Sequence, residues 1–420
     1  MLACRNSTIT NPLAYSILAM DFELWSRCTK AVQEAHFDHF VLLLETSKFK
    51  RFNLKQRLAK FLPIRKLLFV LQTEMYPHQM APALIQSLTT FLRHHFSADA
   101  AIKPVISYLA ANLHEGGTAN SSESVLFLTS CCVEDVMEVS PMSSVSKLDK
   151  TNRREKAEQV LEALVHILAT PSLLTKFVAA LPLSRVLLLL LGEHPSPVVA
   201  AQILILLSLV LYSSPSFKRK FELVSGWMVL RTVLPAAWDP SVHVAAFDLL
   251  LGRVYVAGKP PPSGPTDIIC PYIFPTILAS LHYGLDRVVT RARLPDPYVN
   301  GNANHAMNGY SRGSGHGSIL SHDSYSVSSA MEVLVEELSD LHSSTASFRE
   351  LFRSKQTTSL YLDACRSFVT KLADVPHLKD RTERLVGKVS NLTLMLALDN
   401  AVDGNQKREV SLLESQSLTC

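Results

Sequence analysis

Apolar residues return every three or four positions along most of this chain, in segments of roughly two to six turns, and that spacing predicts helices. Between Asp21 and about Thr46 the series Leu24, Cys28, Ala31, Val32, Ala35, Phe37, Phe40, Val41 and Leu44 keeps to it. Asp21 is placed to cap the start, and Glu23 is favourable in the first turn. Further helices are expected over Asn53–Phe61, Ile64–Gln72, Ala83–His95 and Val105–Leu113. Pro63, Pro77, Pro82 and Pro104 stand where a missing N–H costs least, at helix starts. The pattern resumes at Arg153–Leu168, Ser172–Leu181, Leu183–Leu191, Val198–Tyr212, Ser216–Val224, Trp227–Leu234, Ser241–Val254 and Tyr272–Tyr283. It returns at Ala330–Leu341, Thr345–Phe352, Ser359–Leu372 and Leu378–Leu398. No alternating strand pair with a tight turn interrupts it. The expected class is all-α.

Two stretches break the periodicity. Gly, Ser, Thr and Asn dominate both ends of 115–152, around a short apolar island at Val125–Cys132, which reads as a flexible insertion. Residues 295–329 are rich in Gly, Ser, Asn and His and read as a disordered linker. The expected organisation is therefore N-terminal helical repeats over 1–114, the insertion, and central repeats over 153–294. The linker, C-terminal helices over 330–398 and a polar tail over 399–420 complete it.

A repeat is visible inside this series. Phe177 is followed by Pro182 and apolar Leu183, Val186 and Leu187; Phe221 is followed by Gly226 and apolar Trp227, Leu230 and Val233. The two anchors lie 44 residues apart, within the period of armadillo and HEAT units. Leu58, Pro63, Ile64, Leu67 and Leu68 repeat the pattern near the N-terminus, and Phe348 opens a degraded copy. A single helix pair cannot bury its apolar face, whereas stacked neighbours can. An armadillo/HEAT-like α-solenoid of stacked helix pairs with disordered insertions is the expected architecture.

Of the 420 residues, 47% are hydrophobic and 19% charged, enough to bury a core. The net charge of +4 is too small to imply nucleic-acid binding by the whole chain. Seven scattered cysteines without a CxxC pair suit a reducing compartment, hence a cytoplasmic setting. The apolar runs Val186–Leu191 and Val198–Tyr212 fall short of the roughly 20 residues of a membrane span and read as a buried helix–turn–helix. No phosphate loop, GxGxxG, HExxH or GxSxG is present. No cofactor, metal site, catalytic residue or small-molecule substrate is expected. His36 and His39, three apart with Cys28 nearby, fall short of a zinc set and read as surface or half-buried histidines. Glu332, Glu336 and Glu337 read as a solvated face.

One charge pattern stands out. Lys48, Lys50, Arg51, Lys55, Arg57, Lys60, Arg65 and Lys66 occur in nineteen residues without a single acid, interleaved with Phe49, Phe52 and Phe61. Such a run suits acidic membrane headgroups or an acidic partner surface. The other reading is a solvated helix face with the phenylalanines buried beneath it.

At this run the sequence resembles a known family. Asp21–Tyr76, beginning DFELWSRCTKAVQEAHFDHF, and Ser225–Arg253, beginning SGWMVLRTVLPAAWD, are similar to the region upstream of the BEACH domain in the fungal beige/BEACH family. Together they cover about a fifth of the chain. The resemblance implies the α-solenoid part of a much larger scaffold in vesicle trafficking, membrane fission or fusion, or autophagy. It would be cytoplasmic, peripheral on endomembranes, and would work through protein–protein contacts. It carries over no site residues. The alternative is a stand-alone armadillo-type adaptor that binds an acidic peptide or nucleic acid, the latter being disfavoured by the small net charge.

Overall fold

The structure, a computed structural model, describes residues 12–114, 147–214, 216–253, 267–293, 319–373 and 382–399. Every regular element among them is helical, and there is no strand. The chain divides into two compact units. Unit 1 comprises Met1–Gly226 and Arg253–Pro261, and unit 2 comprises Trp227–Gly252 and Pro262–Cys420. The division falls inside the expected central segment 153–294, at the short turn before Trp227. Polar composition marks where a chain is solvated; it does not mark where packing contacts part.

Unit 1 opens with α1 (Pro12–Ala19), α2 (Phe22–Ser26) and α3 (Lys30–Val41). The single helix expected over Asp21–Thr46 is thus broken at Arg27–Thr29. The Asp21 carboxylate does accept from Leu24 N at 3.1 Å and caps α2. Gln33 stabilises the break, because its amide donates to the Ser26 and Cys28 carbonyls at 2.9 and 3.0 Å. These are carbonyls that a helix end leaves without intrahelical partners. After α3 come a π turn (Leu42–Thr46), the short α4 (Lys50–Phe52), a second π turn (Asn53–Leu58) and a 3-10 turn (Ala59–Phe61). The helix expected at Asn53–Phe61 is therefore irregular. Asn53, Leu54 and Leu58 are all buried across it.

The remainder of unit 1 is α5 (Pro63–Thr73), α6 (Ala81–His94), α7 (Lys103–Asn112), α8 (Lys147–Leu168), α9 (Pro171–Ala180), α10 (Leu183–Leu191), α11 (Pro197–Ser213) and α12 (Ser216–Leu223). Pro63, Pro82 and Pro104 stand in the first turns of α5, α6 and α7 as expected, Pro77 precedes a 3-10 turn (His78–Met80), and Pro171 and Pro197 likewise open α9 and α11. Packing runs between helices close in chain order: α3 on α6, α5 on α6 and α7, α7 on α8, α8 on α11, and α10 on α11 and α12. Helix α11 is apolar on all sides because it is surrounded; Val199, Ala200, Ile203, Leu204, Leu206, Leu207 and Val210 are all buried. No single described helix is long and apolar enough to cross a membrane.

Phe177 and Phe221, the anchors of the expected repeat, are both fully buried. Gly226 is glycine for a spatial reason. A Cβ placed there would lie 2.5 Å from the Phe221 ring. The ring therefore closes directly over the turn that follows it.

Unit 2 contains α13 (Gly226–Val233, from Trp227), α14 (Pro240–Leu251), α15 (Phe274–Arg293), α16 (Ile319–Ser344), α17 (Ala346–Arg353), α18 (Lys355–Ala373) and α19 (382–399). Asp239 caps α14 by accepting from Val242 N at 2.9 Å, and Gly252 closes it with φ +66. Helix α15 packs on α16 and α18, and α17 joins those two. Its core is aromatic: Phe274, Phe348, Phe352 and Tyr361 meet edge to face with ring centroids 5.2–5.7 Å apart.

Two helices begin earlier than composition indicates. Helix α8 starts at Lys147, inside the expected insertion 115–152, of which 115–146 lies outside the described residues. Helix α16 starts at Ile319, inside the expected linker 295–329, of which 295–318 lies outside them. Both extend N-terminally from strongly buried turns, Ala157–Leu161 and Met331–Leu338. Once a helix is nucleated, each further residue adds a hydrogen bond at little cost, so polar or serine-rich sequence can be drawn in. The expected tail 399–420 lies outside the described residues after Asp399.

Candidate anionic-surface site

The basic run lies in unit 1 on the irregular turns between α3 and α5. Its frame is polar and buried. Asn53, 4% exposed, donates to the Leu43 carbonyl and to Ser47 Oγ at 3.4 Å each. Ser47 Oγ also accepts from Phe49 N at 3.1 Å. Leu54 and Leu58 anchor the next turn in the core. With these residues inward, Lys48, Lys50, Arg51, Lys55 and Lys60 point to solvent and all five are exposed.

The other members of the run differ. Arg65 donates to the Asp99 carbonyl at 3.4 Å. Lys66 donates to the Met20 carbonyl at 3.2 Å and lies over the Phe61 ring at 6.0 Å from its centroid. Both tie the segment to the rest of unit 1. Arg57 belongs to the π turn Asn53–Leu58, and its side chain lies outside the described residues.

Nearby acids are engaged elsewhere. Glu45 pairs with Arg93 at 3.5 Å and accepts from Thr90 at 3.3 Å. Asp99 pairs with Lys103 at 2.7 Å, which holds its carboxyl below the ordinary carboxylate range. Among the described residues no acid pairs with Lys48, Lys50, Arg51, Lys55 or Lys60. The positive potential also reaches His94, whose pKa is lowered by burial first and by Lys50 second. Apolar side chains stand among these cations: Phe49 is 52% exposed and Leu62 43%. Leu62 occupies the left-handed region at φ 50, a conformation that costs a leucine about 1–2 kcal/mol. The surrounding structure fixes this turn.

His36 is not the surface or half-buried residue that its spacing to His39 suggests. It is 1% exposed, stacked on Trp25 with ring centroids 4.4 Å apart, and surrounded by Phe22, Phe37 and Phe40. Nε2 donates to the Ala19 carbonyl at 2.9 Å, which leaves Nδ1 buried with no partner. A second proton would have to sit there, in apolar surroundings. Burial accordingly lowers the pKa to about 4. The signal available in sequence was Phe40 four positions later, on the same helix face.

The glutamates of α16 are not a freely solvated face. Lys388 pairs with Glu336 at 2.9 Å and Glu332 at 3.9 Å, and Glu337 holds His243. Among the described residues no group of three or more His, Cys, Asp or Glu could hold a metal ion. A groove of about 330 Å³ in unit 2 is lined by Arg231, Pro235, Tyr283, Asp286 and Leu360. Its carboxylate, Asp286, is taken up by Lys371 at 2.7 Å and Ser367 at 3.2 Å. No protein-family model, no curated protein and no solved structure matches the chain.

Proposed function

We propose that this chain is a non-enzymatic helical scaffold that docks on an anionic membrane surface through Lys48, Lys50, Arg51, Lys55 and Lys60. The observation that carries this reading is five exposed cations without an acidic partner among the described residues, held outward by the buried Asn53, Leu54 and Leu58. Each cation near an anionic leaflet contributes about 1 kcal/mol, so five on one short segment are enough for reversible recruitment. Packing between helices close in chain order, and the anchor–turn pairs Phe177–Pro182 and Phe221–Gly226, support an armadillo/HEAT-like solenoid with faces available for partner proteins. The resemblance of Asp21–Tyr76 and Ser225–Arg253 supports a BEACH-type scaffold in vesicle trafficking or autophagy, cytoplasmic and peripheral on endomembranes.

The test is charge reversal. Lys48, Lys50, Arg51 and Lys55 are replaced together by Glu, and cosedimentation with phosphatidylserine vesicles is measured beside thermal unfolding. Binding should fall by a factor of about 100 or more, from four favourable contacts turned repulsive. The unfolding temperature should hold, because all four side chains are exposed. Undiminished vesicle binding at physiological salt would remove the reading. Binding of the intact chain to an acidic peptide in preference to vesicles would favour the stand-alone adaptor.

A further inference from the structure

Helix α1 turns large aliphatic side chains to solvent. Ser16 and Ala19 face inward and are buried, while Leu13 is 65% exposed, Ile17 52% and Leu18 40%. Leu13 and Ile17 are four residues apart and so share one outward face. A single exposed leucine is ordinary; what matters is its company. Helix α1 packs against Asn53–Leu58, the turn that carries Lys55, and the residue after it, Met20, receives the Lys66 ammonium on its carbonyl. The Leu18 carbonyl accepts from the Trp25 indole at 2.7 Å, and the Ala19 carbonyl from His36. The last turn of α1 is therefore bonded to the framework of unit 1, and the helix lies against the turn that carries Lys55.

We infer that Leu13 and Ile17 enter the acyl boundary of an anionic bilayer while the neighbouring cations hold the headgroups. The inference rests on the reading of the basic segment as a membrane contact. An apolar face beside uncompensated lysines is the composition of interfacial helices, whose binding adds buried apolar area to headgroup attraction. Nucleic acid would leave these aliphatic side chains without a partner. An acidic protein surface would meet the lysines and leave Leu13 and Ile17 in water.

The two contributions separate by salt. About 1 M NaCl screens charges beyond roughly 3 Å and leaves apolar insertion in place. The full chain, a Leu13→Ser/Ile17→Ser variant and the charge-reversed variant are each sedimented with phosphatidylserine and with phosphatidylcholine vesicles, at low and high salt. Circular dichroism and analytical ultracentrifugation of each, without vesicles, accompany the measurement.

The intact chain should keep a salt-resistant fraction on phosphatidylserine vesicles once bound. The Leu13→Ser/Ile17→Ser variant should lose that fraction and bind about tenfold or more weakly at low salt, with unchanged helicity. If this variant binds like the intact chain and salt strips both completely, insertion is overturned while the electrostatic reading stands. If the intact chain does not bind phosphatidylserine vesicles at all, both fall together. If the variant instead changes only the sedimentation coefficient, the face is covered by a second copy of the chain and insertion is overturned.

Discussion

At the scale of single residues, His36 and Gly226 show how a side chain and the lack of one are fixed by what lies against them. His36 is neutral in the folded protein down to about pH 4, while in the unfolded chain it takes a proton near 6.5. The unfolded state therefore binds more protons between these values, and stability present above pH 6.5 is lost as the pH falls towards 4. The shift corresponds to about 3 kcal/mol. His36→Phe should flatten the dependence of the urea midpoint between pH 7 and 4.5, at a loss of about 1 kcal/mol at pH 7 from the missing Ala19 bond. An unchanged slope would show that other groups govern acid sensitivity. Glycine positions separate by space. Gly226→Ala sets a methyl 2.5 Å from the buried Phe221 ring and should cost about 1–3 kcal/mol. Gly387→Ala meets nothing within 4 Å inside a helix and should add about 0.5–1 kcal/mol. Thermal unfolding of the two variants should move in opposite directions.

At the scale of elements, the helical class was legible because nearly every segment carries a 3.6-residue apolar period. Leu183–Leu191 appears with its expected ends, and many others agree within two residues. What escaped the sequence was discontinuity and extension. The break between α2 and α3 depends on Gln33 reaching back across Arg27–Thr29, and a glutamine at a helical surface spacing does not announce that role. Gln33→Ala should destabilise unit 1 by about 1–3 kcal/mol, since two carbonyls lose their donor in a part-buried site. Hydrogen exchange should show faster opening at Phe22–Ser26 and Lys30–Val41; unchanged protection there would mean that water replaces the amide fully. The early start of α16 escaped for the opposite reason. Its serines look like a linker by composition, yet they follow the helix that Met331, Leu334, Val335 and Leu338 nucleate.

At the scale of the whole molecule, the basic run could be found by charge alone, but its division of labour could not. The sequence lists eight equivalent cations. The structure leaves seven of them exposed, ties two of these, Arg65 and Lys66, to backbone carbonyls, and puts Glu45 and Asp99 into other pairs. The placement of α1 against this segment was not legible either, because no firm reading of residues 1–19 follows from their pattern. Recruitment of such a surface is governed by the charge density of the membrane. The most direct measurement is the fraction of intact chain bound to vesicles as phosphatidylserine is raised from none to about a third of the lipid at physiological salt, where the screening length is about 8 Å. A steep rise with anionic lipid, and little binding to neutral vesicles, is the result expected. Equal binding to neutral and anionic vesicles, or none to either, would contradict the account.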